Sequence, residues 1–334
     1  MADSMSQVDH RLDSEQQKAA DAGGEPRRPG TGQDCGDAGY QPKSLSEAMG
    51  VSFWLALMWL FIVVFFALTA DLWPLPGYDT MDWLNPAAVP GTVGQMPIKN
   101  ISGETLERSF LYLLGTDNMG RDIVTRLIYG ARVSLAVGLI TPCFGLVIGG
   151  LLGLLAGFYR GWLESVIMVI MDAILAFPAI VLLLAITFYL GLGLENMIFA
   201  LGFLTIPHFS RVARANTLVF AEREFVQSAR MLGQTDISIM TREILPNIIM
   251  PLVVYALLVV SYMIVAEGTL SFLGLGVSAP TPSWGEMISG GREVLVEAPH
   301  VSLIPALILF LTVLSFNLIG DAVKNVLHSK GGQI

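Results

Sequence analysis

Charge is scarce in this chain. Only 14% of its residues are charged and 53% are hydrophobic, whereas a soluble domain carries about a quarter charged residues. That shortage excludes an ordinary water-soluble domain. Cysteine is scarcer still, with 2 in the whole sequence. Cys35 falls in a polar stretch near the N-terminus and Cys143 inside an apolar run, so no disulfide framework exists. The chain lacks G-x-x-x-x-G-K-S/T, which excludes a P-loop ATP site of its own. It also lacks H-E-x-x-H and G-x-S-x-G, the motifs of zinc proteases and of serine hydrolases. Its 4 histidines, His10, His208, His300 and His328, are scattered and suggest no metal site. Nothing in the sequence performs covalent chemistry, so we expect no enzyme, no metal and no cofactor bound by this chain.

What remains is long apolar runs. Crossing a hydrocarbon core of about 30 Å takes about 17 to 25 apolar residues in a helix. Six stretches qualify: 51–70, 133–157, 163–192, 196–213, 248–273 and 301–320. The fourth is the least clean, because Pro207, His208 and Arg211 interrupt it. The expectation is an all-α polytopic membrane protein with six transmembrane helices. Residues 1–48 are rich in Asp, Glu, Gln, Gly and Ser; that composition predicts a disordered tail, too long and polar for a signal-peptide n-region.

Lys and Arg give the orientation through the positive-inside rule. With the N-terminus in the cytoplasm, thirteen basic residues fall inside, among them Arg160, Arg211, Arg214, Arg223, Arg230 and Arg242. Six fall outside: Lys99, Arg108, Arg121, Arg126, Arg132 and Arg292. Six crossings return the C-terminus to the cytoplasm. The outer segment 71–131 opens on a proline-rich stretch, "PLPGYDTMDWLNPAAVPG", expected to be irregular. Turn chemistry follows at Gly115, Asp117 and Gly120, and then an interfacial amphipathic helix with Ile123, Leu127, Ile128 and Ala131 on one side. Gly-rich "GVSAPTPSWGEMISGG" reads as a second outer loop rather than a phosphate loop.

Two acids stand within or near spans, Asp172 and Glu267. An acid at the centre of a span costs roughly 2.5 to 3.5 kcal/mol on insertion scales, so it faces protein or water. Each either pairs with a hydroxyl or backbone group between helices or lines a path. Pro178 removes one ladder hydrogen bond and predicts a kink in the third span.

One polar-faced stretch interrupts the apolar runs: "REFVQSARMLGQTDISIMTREILPN", residues 223 to 247. Phe225, Val226, Ala229 and Leu232 recur at helical spacing, predicting an amphipathic helix of about three turns. Gly233 stands where a helix ends. Thr235 or Asp236 is placed to cap a second short helix, and Pro246 marks the return to the membrane. The apolar side of this helix–glycine–helix either lies on lipid headgroups or fills a groove on another protein.

This stretch resembles the cytoplasmic loop of ABC-importer permeases, E-A-A, three residues, Gly, nine residues, I-x-L-P. The matching residues are Gln227, Ser228, Ala229, Gly233, Glu243, Leu245 and Pro246. Gln227 stands where the family has Glu, and Glu243 where it has an apolar residue. Three further segments resemble the C-type permease of dipeptide, oligopeptide and nickel importers: "LGTDNMGRDIVTRLIYGARVSL", "AEGTLSFLGLGVSAPTPSWGEM" and "FNLIGDAVKNVLHSK". In the last, Lys324, Asn325, His328 and Ser329 replace the basic, acidic and Asp-Pro residues often seen there.

The resemblance implies a permease half of an ATP-driven importer for short peptides, nickel or other small solutes, in the cytoplasmic membrane of a prokaryote. Its parts would be the tail 1–48, a first transmembrane helix 49–70, the outer segment 71–131, a five-helix core 132–322 with the loop at 222–247, and a cytoplasmic tail 323–334. It implies a second permease, two cytoplasmic ATPases that use ATP and Mg, and an external solute-binding protein. The loop would dock on an ATPase through Phe225, Gln227, Ala229, Gly233, Asp236, Leu245 and Pro246. A stand-alone ion- or proton-coupled carrier using Asp172 and Glu267 is the alternative, and a scaffold without a path a third.

Overall fold

The computed structural model describes residues 45–99, 105–277 and 280–331. The expected tail lies outside them except for 45–48, a helical turn set off from the first span by the non-helical Gly50. Its apolar runs become helices: α1 Leu45–Thr69, α2 Ile123–Tyr159, α3 Gly161–Ala176, α4 Ala179–Leu190, α5 Leu194–Ala221, α6 Glu224–Met231, α7 Asp236–Phe272, α8 Trp284–Gly290 and α9 His300–Gly331. Four of these, α1, α2, α7 and α9, are long and apolar enough to cross a membrane, and α3 with α4, taken as one broken span, makes five.

Several expectations need correction. The chain is not all-α, because Thr92–Lys99 (β1) and Thr105–Tyr112 (β2) pair antiparallel, Thr92 opposite Tyr112 and Lys99 opposite Thr105. Pro97 and Gly94 hid this hairpin, since both are depleted in strands. The interfacial helix is not separate from the second span; α2 is one helix of 37 residues. Asp122 caps its start by accepting from the Thr125 amide. Pro178 does more than kink the third span. It ends α3, and α4 departs at 88°, the proline carrying no N–H to continue the ladder.

The centre of the bundle is the contact between α2 and α5. Gly145, Gly149, Gly153 and Gly157 recur every fourth residue on α2 and form a stripe facing α5. A Cβ at Gly149 would overlap the Ile206 carbonyl oxygen, and one at Gly153 the Ser210 carbonyl. Small residues at this spacing let two membrane helices approach backbone to backbone. Around the stripe, Val137, Leu154, Leu201, Phe209, Ala213 and Leu252 form the main buried cluster. A second cluster joins α1, α2, α7, α8 and α9 through Leu60, Leu127, Ile264, Trp284 and Phe316.

α5 is the least apolar of the long helices, with Glu195, Pro207, His208, Arg211 and Arg214 in its 28 residues. Protein on several sides explains how such a helix is tolerated: it packs on α2, α3, α4 and α7.

Candidate functional site

The polar-faced stretch forms a compact helix–turn–helix at the end of α5. α6 has only 8 residues, Glu224–Met231, two turns rather than three. The Gly233 amide donates to the Arg230 carbonyl at 3.0 Å and the Gln234 amide to Ala229 at 3.1 Å, the paired closure of a Schellman motif. Gly233 has φ +75°, which glycine reaches without the Cβ clash other residues suffer. Thr235 then caps the next helix, its side chain accepting from the Ser238 amide. No separate second short helix follows, because α7 runs on through a π turn at Ile239–Ile244.

The two faces of α6 have different fates. Val226 and Ala229 are buried, within the cluster that holds Phe158, Ile239 and Ile244. The Arg230 guanidinium lies 5.3 Å from the centre of the Phe158 ring, and Arg160 pairs with Glu222 at 2.8 Å. The knob is thus fixed to the turn between α2 and α3. Ala229, expected as a docking contact, is buried in this internal anchor. The outward apolar surface consists of Phe225, Met231, Leu232 and Ile237, with Met231 87% and Leu232 81% exposed. Gln227, Asp236, Leu245 and Pro246 are also exposed; Gln227 Nε2 donates to the Glu222 carbonyl at 3.1 Å.

The two intramembrane acids are differently placed. Asp172 on α3 pairs with Arg211 of α5 at 2.6 Å, a cation rather than the hydroxyl or backbone partner expected. Glu164, two turns earlier on α3, pairs with Arg214, whose Nε donates to it at 2.6 Å. Glu267 on α7 is fully buried. Ser271 and Ser283 donate to its Oε1, both at 2.7 Å, and Ser134 of α2 to its Oε2 at 3.1 Å. These hydroxyls come from α2, α7 and the cap of α8, so the carboxylate holds three elements together. Removing it strands three buried donors, each worth about 1–3 kcal/mol when left unpaired. Glu267→Leu is therefore expected to cost about 3 kcal/mol or more, and Glu267→Gln, which keeps an acceptor and the volume, about 1 kcal/mol. Thermal unfolding of the purified proteins in detergent checks this; equal losses would mean the hydroxyls do not need the oxygen.

A cavity of about 550 Å³ opens at the α3–α4 break, bounded by Phe177, Pro178, Leu201, His208, Tyr255 and Tyr262. Its walls come from α3, α4, α5 and α7. They are mostly apolar, with Thr205 adding a hydroxyl.

At the opposite end of α2, a charged cluster joins the hairpin segment to α8. Arg126, only 1% exposed, reaches Glu286 at 2.5 Å and the Tyr78 carbonyl at 3.1 Å, and lies 3.4 Å from Asp117. Asp117 also pairs with Arg121 at 2.6 Å. Burial pushes the Asp122 carboxyl above the usual carboxylate range, against the hydrogen bonds from Thr125. For Asp82, burial works upward but the bonds from Asn85, Tyr112 and the Leu84 amide win, and its carboxyl lies below that range. Burial and this carboxylate together raise the Tyr112 hydroxyl.

Sequence reasoning missed Glu164, Arg211 and Arg214 as partners, and Ser134, Ser271 and Ser283 as ligands of Glu267. A signal for the arginines existed, since a charge in an apolar helix demands a counter-charge. Among the described residues no cluster of three or more His, Cys, Asp or Glu is arranged to hold a metal ion.

Residues 149–330 match the family model described as binding-protein-dependent transport system inner membrane component. The glutathione transport system permease protein GsiD of Pectobacterium atrosepticum is 43% identical over 222 residues, 66% of this chain and 74% of that protein. GsiD of Shigella sonnei is 42% identical over 222 residues, 66% of this chain and 73% of that protein. A solved MetNI methionine ABC transporter in an inward-facing conformation aligns over 60% of this chain and 97% of that one, at 20% identity and TM-score 0.49. The chain belongs to the family of binding-protein-dependent transport system inner membrane components, as a permease subunit of an ABC importer.

Proposed function

We propose that this permease forms half of a pathway for short peptides, glutathione-like tripeptides foremost, and that its helix–turn–helix docks on a cytoplasmic ATPase. ATP hydrolysis belongs to a separate subunit. The observation that carries the docking reading is the knob itself: an outward apolar surface of Phe225, Met231, Leu232 and Ile237 on a base that Val226 and Ala229 fix to the bundle. A patch of this kind on a rigid support is suited to fill a groove and to pass displacement into α5 and α7. Gln227, Asp236, Leu245 and Pro246 form its polar and apolar margin. Arg223, Arg230 and Arg242 favour rapid association more than affinity.

In this reading the chain crosses six times, with α5 as a crossing beside α1, α2, the α3–α4 pair, α7 and α9. At 1.5 Å per residue, α5 is about 42 Å long, enough to span. Both termini and the knob face the cytoplasm, as the excess of Lys and Arg in those segments favours. Residues 71–131 then form the outer segment, its last nine residues opening α2, 132–322 the permease core and 323–334 a cytoplasmic end on the last helix. A second permease completes the path, two ATPases bind ATP and Mg, and a solute-binding protein delivers substrate. Dipeptides, longer peptides and nickel are the other substrates this branch suggests; the named relatives, glutathione permeases at over 40% identity, favour a small peptide. The carrier reading loses ground because all of Glu267 is engaged by hydroxyls and Asp172 is paired.

Gly233 supplies the test. No heavy atom lies within 4 Å of where a Cβ would sit, so a side chain there acts on the backbone alone. The left-handed conformation costs a non-glycine residue roughly 1–2 kcal/mol, least for Asn. Gly233→Val is expected to insert normally but to lose most of the ATPase that co-purifies with wild type, while Gly233→Asn keeps it. Wild-type protein that recovers no P-loop ATPase from its own membranes would overturn the docking reading.

A further inference from the structure

Three ion pairs connect the neighbourhood of α3 to that of α5. Arg160, in the turn before α3, meets Glu222 at 2.8 Å; Glu164 meets Arg214 with Nε at 2.6 Å; Asp172 meets Arg211 at 2.6 Å. The order is antiparallel, 160, 164 and 172 against 222, 214 and 211, so all three belong to one register of the two helices. Apolar contact also joins them: Ile167 and Met171 of α3 pack in one buried cluster with Ile206 of α5, and Leu163 and Phe203 lie against it. Apolar contact is non-directional, so the charges fix the register in which α3 sits on α5. Beyond Pro178 the tie stops. α4 carries no ion pair among the described residues and buries only Leu183 and Thr187.

This arrangement divides the helices into what must move together and what is free to move apart. α6 hangs from α5 by the Glu222–Arg223 turn, and Arg160 holds that turn from the other side. A knob displaced by a partner would carry α5 with it. Without counter-charges, only non-directional apolar contact would oppose a slip of α3. With the pairs in place, a slip of one turn would break all three together, and Glu164, the least exposed of the six, would lose its counter-charge.

We propose that Arg160, Glu164 and Asp172, with Glu222, Arg214 and Arg211, are positioning residues for transport. They make α3, α5 and α6 one moving body. The displacement of the knob then reaches the Pro178 break, and α4 alone changes its angle at the cavity. The proposal rests on the reading of the knob as the ATPase dock.

The test is a distance measurement in the assembled complex, with the second permease and the ATPases, in nanodiscs. Nitroxide labels are placed at Val166→Cys on α3 and Glu224→Cys on α6, both exposed and outside the docking surface, with Cys35→Ser and Cys143→Ser to remove other thiols. Pulsed electron paramagnetic resonance is recorded without nucleotide and with ATP. With the ladder intact, the separation is expected to be the same in both states. Reversing the α3 charges, Glu164→Arg with Asp172→Arg, is expected to let the separation change on ATP by about one helical turn, ~5 Å. Adding Arg214→Glu and Arg211→Asp restores the pairs with opposite sign and is expected to restore the constant separation. Should the reversed protein fail to assemble, Glu164→Gln with Asp172→Asn removes the pairs without repulsion and predicts the same ATP-dependent change.

An ATP-dependent separation with the ladder intact would overturn the proposal, as would a constant separation once the pairs are removed. ATPase recovery in the same preparations separates the two levels. Bound ATPase with either of those results sinks the ladder alone, whereas absence of ATPase from the wild type sinks the docking reading and the ladder with it.

Discussion

Gly153→Val is expected to abolish the folded state of this permease. A Cβ at this position would overlap the Ser210 carbonyl oxygen and lie 2.6 Å from the Ala213 Cβ. Both belong to α5, and backbone cannot rotate aside as a long side chain can. Overpacking a close interior costs typically 1–3 kcal/mol when side chains are able to adjust, and more when they are not. Here the two helices would have to separate, opening the contacts of Gly149 and Gly157 as well. Native proteins have about 5–15 kcal/mol to lose, so the variant should fail to accumulate, or should melt far below wild type in detergent. Gly290→Ala is the matched control, since nothing lies within 4 Å of its Cβ position. A Gly153→Val protein with wild-type melting behaviour would mean that α2 and α5 do not pack through this stripe.

Arg126→Met ranks second in expected effect. The guanidinium is buried between Glu286 and Asp117 and donates to the Tyr78 carbonyl. Breaking a buried pair by removing one partner costs about 3–5 kcal/mol, because the remaining charge stays desolvated. Glu286 is the residue left exposed to that penalty, while Asp117 keeps Arg121. Pairing the variant with Glu286→Met removes the stranded charge, and the double variant is expected to regain most of the lost stability. Arg126→Lys is not a conservative change here. One ammonium does not reproduce a planar fork that serves a carboxylate and a carbonyl together. Thermal unfolding checks the series; if the double variant is as unstable as the single one, the loss comes from packing and not from charge.

The α2 glycines and Arg126 differ in how much their neighbours in the chain disclose. The glycines of α2 stand four apart in "GLVIGGLLGLLAGFY", inside a run that must be a helix, so their common face follows from the helical repeat alone. What they face does not. Arg126 was visible as a charge near the start of α2, but its partner Glu286 lies 160 residues away. Nothing local links the two. The helix–turn–helix shows the same division within one motif. The glycine bend at 233 was legible because an αL closure is a matter of a few adjacent residues. Which side of α6 would be exposed was not, and Ala229 turned inward because α2 and α7 present Phe158, Ile239 and Ile244 to it. The β1–β2 hairpin was illegible for another reason. Its first strand contains proline and glycine, and only the pairing with the second segment makes it a strand.

By itself the sequence determined that this chain lives in a membrane, where its apolar helices run, and where α6 must stop. Those properties depend on composition, run length and backbone freedom, all carried by neighbouring residues. Tertiary structure alone decided that Asp172 meets Arg211, that three serines hold Glu267, that Pro178 turns the chain by 88°, and which apolar side chains the knob presents outward. Each of those is a contact between residues far apart in the chain, and a contact exists only once the helices have chosen their neighbours.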